Sequence, residues 1–388
     1  MVSQYFHAII IFFDKIRRNY IPYSRKVFFL FSRRKAIRNT FLQRRELVLQ
    51  PPREGAKLVL LVFPAGVMSI SGGLFSILNI AMLSRKLLAK LGYKVFLAYP
   101  PGRYGLASYP YFPNTEIIYT FEQIMRLFPS PDHLVVHIPE YYSARIFKRA
   151  KSDEVRYLQS ARRLQINILN QNILLMPAPE LLNHLKKLTP DVTQTTAHSA
   201  YTTPQHATAW GTPLLHLAPI FWREYPFVPW AEKRNWIAYS PDVNPHARMI
   251  LATLRSNFPD FRFIRISGVS YEQYLNIISK SKYVISFGEG WDGYFWEAHL
   301  CGTIGCAVHN TAFFPKNFKG FPTVYTSFAH MNRQLPEDIR QYENGMYMQY
   351  IHAKYAILHP NIERSWNRFE KSLMDFYQQR YDFYPTPV

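Results

Sequence analysis

Only two cysteines, Cys301 and Cys306, occur in 388 residues. Two thiols alone cannot build a metal framework, and they fall where a helix would end and inside a strand. They read as buried apolar fillers, in a reduced, cytoplasmic setting. The chain also has no apolar run near the roughly 20 residues needed to cross a bilayer. A cleavable export signal is not expected either, because Lys15, Arg17 and Arg18 follow the first apolar stretch, residues 9–13, instead of preceding it. There is no short-period repeat, no low-complexity tract, and no D-x-D pair of the kind that chelates magnesium, so no metal is expected.

Acidic residues are scarce: 26 Asp and Glu stand against 46 Lys and Arg, for a formal charge of +20. Residues 1–50 hold eleven of the basic side chains against Asp14 and Glu46, interleaved with apolar and aromatic clusters. A basic amphipathic segment of this kind suits an anionic membrane surface, where each basic residue contributes on the order of 1 kcal/mol. The alternative is a helical extension packed on the protein with a solvated basic face. No nucleic-acid module accompanies the charge, so no nucleic-acid partner is expected. A hydrophobic content of 48% excludes a disordered chain, and the length suits two domains, each with its own core.

The remainder alternates strand-like and helical stretches, the pattern of parallel sheets covered on both faces. Strands are expected at 58–63, 95–99, 115–120, 133–138, 165–169 and 192–197, and helices at 74–91, 140–150 and 179–188. A proline-rich, aromatic crossing follows near 211–235. Alternation then resumes with strands at 236–239, 261–266 and 283–287 and helices at 246–257 and 270–280, before a helical end at 336–380. The domains are therefore set at 1–54 (basic extension), 55–215, 216–355 and 356–388, with the last part packing back on the first domain.

Residues 283–310 carry the chemistry. An apolar strand runs into a glycine-broken turn, then a short helix and a second strand, and Glu289 and Glu297 lie in the turn and in the helix. Carboxyl ends of strands in open α/β sheets build ligand crevices. Gly288, Gly290 and Gly293 also spell G-x-G-x-x-G, but a dinucleotide site needs an acid about 20 residues on, and no Asp or Glu lies between Glu297 and Glu337. A second glycine pair, Gly72 and Gly73, follows the strand at 58–63 and opens a helix. Amides there can approach a phosphate closely, at the positive end of the helix.

The text E-G-x-x-G-x-x-x-E-A-x-x-C-G from Glu289 to Gly302 resembles the E-x7-E signature of family 4-type retaining glycosyltransferases, enzymes of the two-Rossmann-domain (GT-B) fold. Glu289, Gly290, Glu297, Ala298 and Gly302 coincide with it. The second glycine is displaced to Gly293, and Ile304 replaces the usual proline. The order strand, Gly72-Gly73, long helix, Gly92-x-x-Val95 is also that of the family's first domain. This resemblance implies Glu289 beside the reacting carbon of a nucleotide-activated sugar and Glu297 on the nucleotide ribose. It also implies Gly72, Gly73, Gly290 and Gly293 around phosphates and hydroxyls. His137 and Glu140 match the family's H-x-H-E-P segment as catalytic candidates, with Pro139 in place of a histidine. The basic pair that usually follows the first strand of the second domain is missing, since 240–246 reads Ser-Pro-Asp-Val-Asn-Pro-His; Arg248, Arg265 or a residue from elsewhere would have to supply the charge, or the donor is not a typical nucleoside diphosphate sugar.

The expectation is therefore a retaining, metal-independent transfer needing no cofactor besides its nucleotide-sugar co-substrate. A glycan or lipid-linked glycan would accept the sugar, in cell-surface polysaccharide or glycolipid synthesis, with the protein peripheral on the inner face of a membrane. The alternative is a non-catalytic sugar-binding or scaffold relative of the same fold. A glycoside hydrolase fits less well, because its two carboxylates flank a bond across an open cleft and these two share one turn and helix. Asn170-Gln171-Asn172 and Thr195 to Ser199 close strands near the cleft and read as turn caps in preference to acceptor ligands.

Overall fold

A computed structural model describes residues 53–64, 72–103, 105, 117–148, 151–218, 225–314, 318–347, 350 and 366–386. The readings made for residues 1–52 lie outside this set. Among the described residues, no helix is long and apolar enough to cross a membrane.

The first sheet has seven parallel strands: β1 (Lys57–Val62), β2 (Tyr93–Ala98), β3 (Ile118–Tyr119), β4 (His133–Pro139), β5 (Arg163–Asn170), β6 (Val192–Thr196) and β7 (Leu214–His216), ordered β3-β2-β1-β4-β5-β6-β7. Strand β1, inside this sheet, reads Lys-Leu-Val-Leu-Leu-Val with every residue after the lysine buried, because helices cover both faces of a parallel sheet. Helix α1 (Gly72–Leu88) follows β1 and buries Leu74, Ile77, Leu78, Ala81 and Leu88, spacings of three and four that make one face apolar. Helices α2 (Phe121–Leu127), α3 (Ser152–Ser160) and α4 (Pro204–Trp210) complete the layers.

The second sheet is β8 (Arg234–Tyr239), β9 (Arg262–Arg265), β10 (Ser281–Ile285), β11 (Ile304–Val308) and β12 (Val324–Tyr325), ordered β12-β11-β10-β8-β9. Its helices are α5 (Ala247–Asn257), α6 (Tyr271–Lys280), α7 (Gly293–Leu300) and α8 (Phe328–Gln341). These are two Rossmann-like domains, and the fold class is the one the sequence pattern indicates. Both strand orders are doubly wound, so each sheet has a switch point where successive crossovers leave in opposite directions: between β1 and β4 in the first, between β8 and β10 in the second.

The domains share a core. Leu61, Leu74 and Leu78 of the first belong to one buried cluster with Tyr271, Tyr274 and Ile278 of α6, and the Phe75 and Tyr271 rings lie 4.5 Å apart. A final helix, α9 (residues 366–377), buries Phe369, Leu373 and Phe376 in the same cluster, and beyond it Phe383 pairs antiparallel with Leu214 of β7.

Some expectations are corrected. The helix expected over 140–150 is a single turn, Glu140–Ser143, because Phe147 takes a left-handed backbone (φ 59°) that no α-helix continues through. The helix expected over 179–188 is a 3₁₀ turn, Pro179–Leu182, followed by one α turn, Asn183–Lys186. Strand β7 and helices α2, α3 and α4 were not expected from the sequence.

Candidate functional site between the two sheets

Glu289 lies four residues past β10, in the turn that leads to α7. Gly290 gives the turn its shape: its φ is +86°, and a Cβ there would sit 2.6 Å from the carbonyl oxygen of Val308 and 2.7 Å from the Phe314 ring. Asp292 then caps α7. Its Oδ1 accepts from the Phe295 amide at 3.2 Å, and its Oδ2 accepts from the Ser286 hydroxyl.

Across the cleft, β5 ends at Asn170 and the next two residues gather the site. Gln171 Nε2 donates to the carbonyl oxygen of Gly73 at 3.2 Å, its backbone amide donates to Glu140 Oε2 at 3.3 Å, and the side-chain Nδ2 of Asn172 donates to Glu289 Oε1. One dipeptide thus joins the glycine bend behind β1, the carboxylate behind β4 and the carboxylate behind β10, elements from both switch points. A second contact lies alongside, where the His198 ring past β6 meets Phe313 past β11 edge to face at 5.2 Å. Tyr201 closes the floor, its hydroxyl donating to the carbonyl oxygen of Gln171 at 3.0 Å.

The site is acidic and mostly enclosed. Burial pushes the Glu140 carboxyl up to about 7, with neighbouring Glu289 adding to the shift and amides of Gln171 and Asn172 opposing it. Burial and then Asp242 push Glu289 up to about 7, against the Asn172 hydrogen bond. Asp292 is pushed up to about 7 by burial, while its bond from Ser286 opposes this. Burial drives His198 down to about 4. Carboxyl groups held near neutrality can keep or release a proton at little cost, as acid-base chemistry requires.

The shifts fix a pH dependence. A folded-state value near 7, against about 4.5 for a free glutamate, means the native protein holds these protons more tightly than the unfolded chain. Their contribution is fully present below about pH 4.5 and is lost as pH rises through 7. The thermal midpoint is therefore expected to fall by on the order of a few degrees between pH 5 and pH 8. Glu140→Gln, neutral throughout, should flatten that fall; the same slope in the variant would show that Glu140 ionises normally.

Gly293 opens α7, and a Cβ on it would meet Glu297 Oε2 at 2.7 Å. Glu297 is 2% exposed, and its Oε1 accepts from Tyr271 at 2.7 Å and from Tyr225 at 3.3 Å. Its carboxylate is enclosed where α6, α7 and the crossing segment meet, with tyrosine hydroxyls on it. His137 is enclosed as well. It lies inside β4, directly opposite Asn167 of β5, whose side-chain amide faces Nδ1 at 3.0 Å. Its Nε2 meets the Tyr377 hydroxyl at 3.1 Å, and burial drives its pKa down to about 3. His137 therefore belongs to a satisfied polar layer under α9. Thr195 shares that layer through Asn167, at 3.1 Å, and does not face the cleft.

Gly72 and Gly73 open α1, and nothing crowds a Cβ on Gly72. Arg265, the last residue of β9, donates to the carbonyl oxygen of Pro241 at 2.9 Å, which ties it to the loop carrying Asp242. That loop is in turn bound to the Glu289 turn, because the Asn244 amide donates to the carbonyl oxygen of Phe287 at 3.0 Å. Arg248 is exposed near the start of α5. Among the described residues, no group of three or more His, Cys, Asp or Glu is arranged to hold a metal ion.

Sequence reasoning missed Gln171, Asn172, Tyr201 and Asp292 as parts of the site. The signal for the first two was present in three consecutive carboxamides closing a strand, weighed against turn capping. For Asp292 it was an aspartate just ahead of a helix start.

No protein-family model matches the chain, and no curated protein matches it by sequence. Solved structures of similar architecture include a putative UDP-N-acetylglucosamine 2-epimerase from Listeria monocytogenes, at 9% identity over 86% of this chain and 100% of that one, with a TM-score of 0.47. Apo OtsA is 12% identical over 83% of this chain and 99% of its own, with a TM-score of 0.46. A variant of the wall teichoic acid polymerase TagF is 10% identical over 84% and 90%, with a TM-score of 0.39. Likeness this distant assigns neither substrate nor residue role.

Proposed function

We propose that this protein is a glycosyltransferase that moves a sugar, with retention, from a nucleotide-activated donor held between its two domains to a glycan or lipid-linked glycan. The observation that carries this reading is the Gln171-Asn172 junction, which joins Gly73, Glu140 and Glu289 across the cleft. Transfer needs a place for a diphosphate gaining negative charge beside a sugar gaining positive charge. The amides opening α1 at Gly72 and Gly73, with those of the 290–293 turn, would take the first, and the Glu289 carboxylate would stabilise the second. The bond from the anomeric carbon to the diphosphate oxygen breaks as the acceptor oxygen bonds to that carbon. Glu140, with a pKa near neutrality, would receive the acceptor's proton. Arg265, tied to the loop at the second switch point, is the favoured cation for the diphosphate over Arg248. In this reading no metal or further cofactor takes part.

A panel of nucleotides and nucleotide sugars tests this by thermal unfolding. The matching donor is expected to raise stability by about 2.7 kcal/mol at one hundred times its dissociation constant, and the bare nucleotide should account for much of that. Absence of stabilisation by every member of the panel would overturn the proposal.

A further inference from the structure

Directly after Asn172 the chain makes a 3₁₀ turn, Ile173–Leu175, on which Leu174 is 73% exposed and Leu175 51%, and Leu181 in the next turn is 45% exposed. Single exposed leucines are ordinary, but three within eight residues on one rim of a cleft are not. His184 binds this rim to the segment after β4: its Nδ1 faces the carbonyl oxygen of Leu181 at 2.9 Å, and its Nε2 faces that of Ile146 at 2.8 Å. Residues 141–151 contain Arg145, Lys148, Arg149 and Lys151 and no acid. The side chains of Arg145, Lys148 and Lys151 are exposed, as is Lys187 on the other flank, and among the described residues none of these four forms an ion pair.

We propose that this face of the first domain docks on an anionic lipid surface, with Leu174, Leu175 and Leu181 entering the headgroup layer and Arg145, Lys148, Lys151 and Lys187 meeting lipid phosphates. The charge pattern selects this occupant. Lysine is depleted in the buried centres of protein interfaces, whereas apolar side chains fringed by lysine and arginine suit a bilayer surface, where long stems lie along the acyl boundary and the charged ends stay wet. The surface includes none of residues 1–50 and does not depend on sugar transfer being the reaction.

The full-length chain offers a clean probe site, because its two cysteines are both buried. A polarity-sensitive fluorophore on Leu174→Cys is expected to shift to the blue with phosphatidylglycerol-containing vesicles and to stay unchanged with pure phosphatidylcholine. The same label on Leu91→Cys, exposed at the amino-terminal edge of the first sheet, should respond to neither. Protein that sediments with anionic vesicles while the Leu174 probe stays silent would overturn the proposal, since residues 1–50 or another surface would then do the binding. In an unlabelled protein, Lys148→Glu with Lys187→Glu should weaken vesicle binding by at least about tenfold while leaving the unfolding midpoint in place. A change below twofold would overturn the proposal independently of the labelled variant.

Discussion

Glu289→Gln is expected to lower turnover by about 100- to 1,000-fold, the usual cost of removing one group that stabilises charge developing in a transition state. The substitution keeps shape. A glutamine oxygen can still accept from the Asn172 amide, so the junction across the cleft should survive. The negative charge proposed to face the reacting carbon is lost. Since that charge matters mainly once the sugar turns cationic, donor affinity should change by less than about threefold, and the loss should fall on kcat. Measuring kcat, KM and donor-induced stabilisation on one preparation separates the outcomes. Turnover within tenfold of the parent would remove Glu289 from the reaction. Lost stabilisation by donor would make it a binding group.

Phe295→Ala should have the largest effect on stability, about 3–5 kcal/mol, the range for truncating a fully buried phenylalanine. Its ring is 0% exposed and lies among Phe314 at 5.4 Å, His299 at 4.7 Å and Trp291 at 5.9 Å, with Phe318 and Phe321 beyond. It sits on the first turn of α7, directly after the Glu289 turn. A thermal midpoint lower by about 10 °C is expected, with Phe295→Leu recovering most of it. A midpoint unchanged in Phe295→Ala would mean that the aromatic cluster does not hold the second domain together.

The fold was legible where burial imposes a simple rule. Strand β1 is covered on both faces and so reads as an unbroken apolar run after its lysine, and α6 announces itself through the Ser270 and Gln273 capping pair. Phe147 was not legible, because a phenylalanine in a left-handed conformation is set by its surroundings and leaves no mark in composition. Glu289 was found by its glycine context, which forces a particular turn. Glu297 and His137 were found by the same kind of pattern, yet their environments depend on residues far along the chain: Tyr225 and Tyr271 enclose one, and Tyr377 satisfies the other. Asn172 shows the converse. An asparagine at a strand end has an ordinary local explanation, and its Oδ1 does cap the turn by accepting from the Leu174 amide at 2.9 Å, but the partner of its Nδ2 comes from the second domain, 117 residues away.

The pairing of Phe383 with Leu214, together with the burial of Phe369, Leu373 and Phe376 against the first domain, makes the second domain an insertion between two pieces of the first. Two separate tethers therefore cross between the lobes. Shortening the chain at its carboxyl end would therefore loosen the first domain and not the second, because the partner of Leu214 and the hydroxyl that meets His137 both come from beyond the second domain.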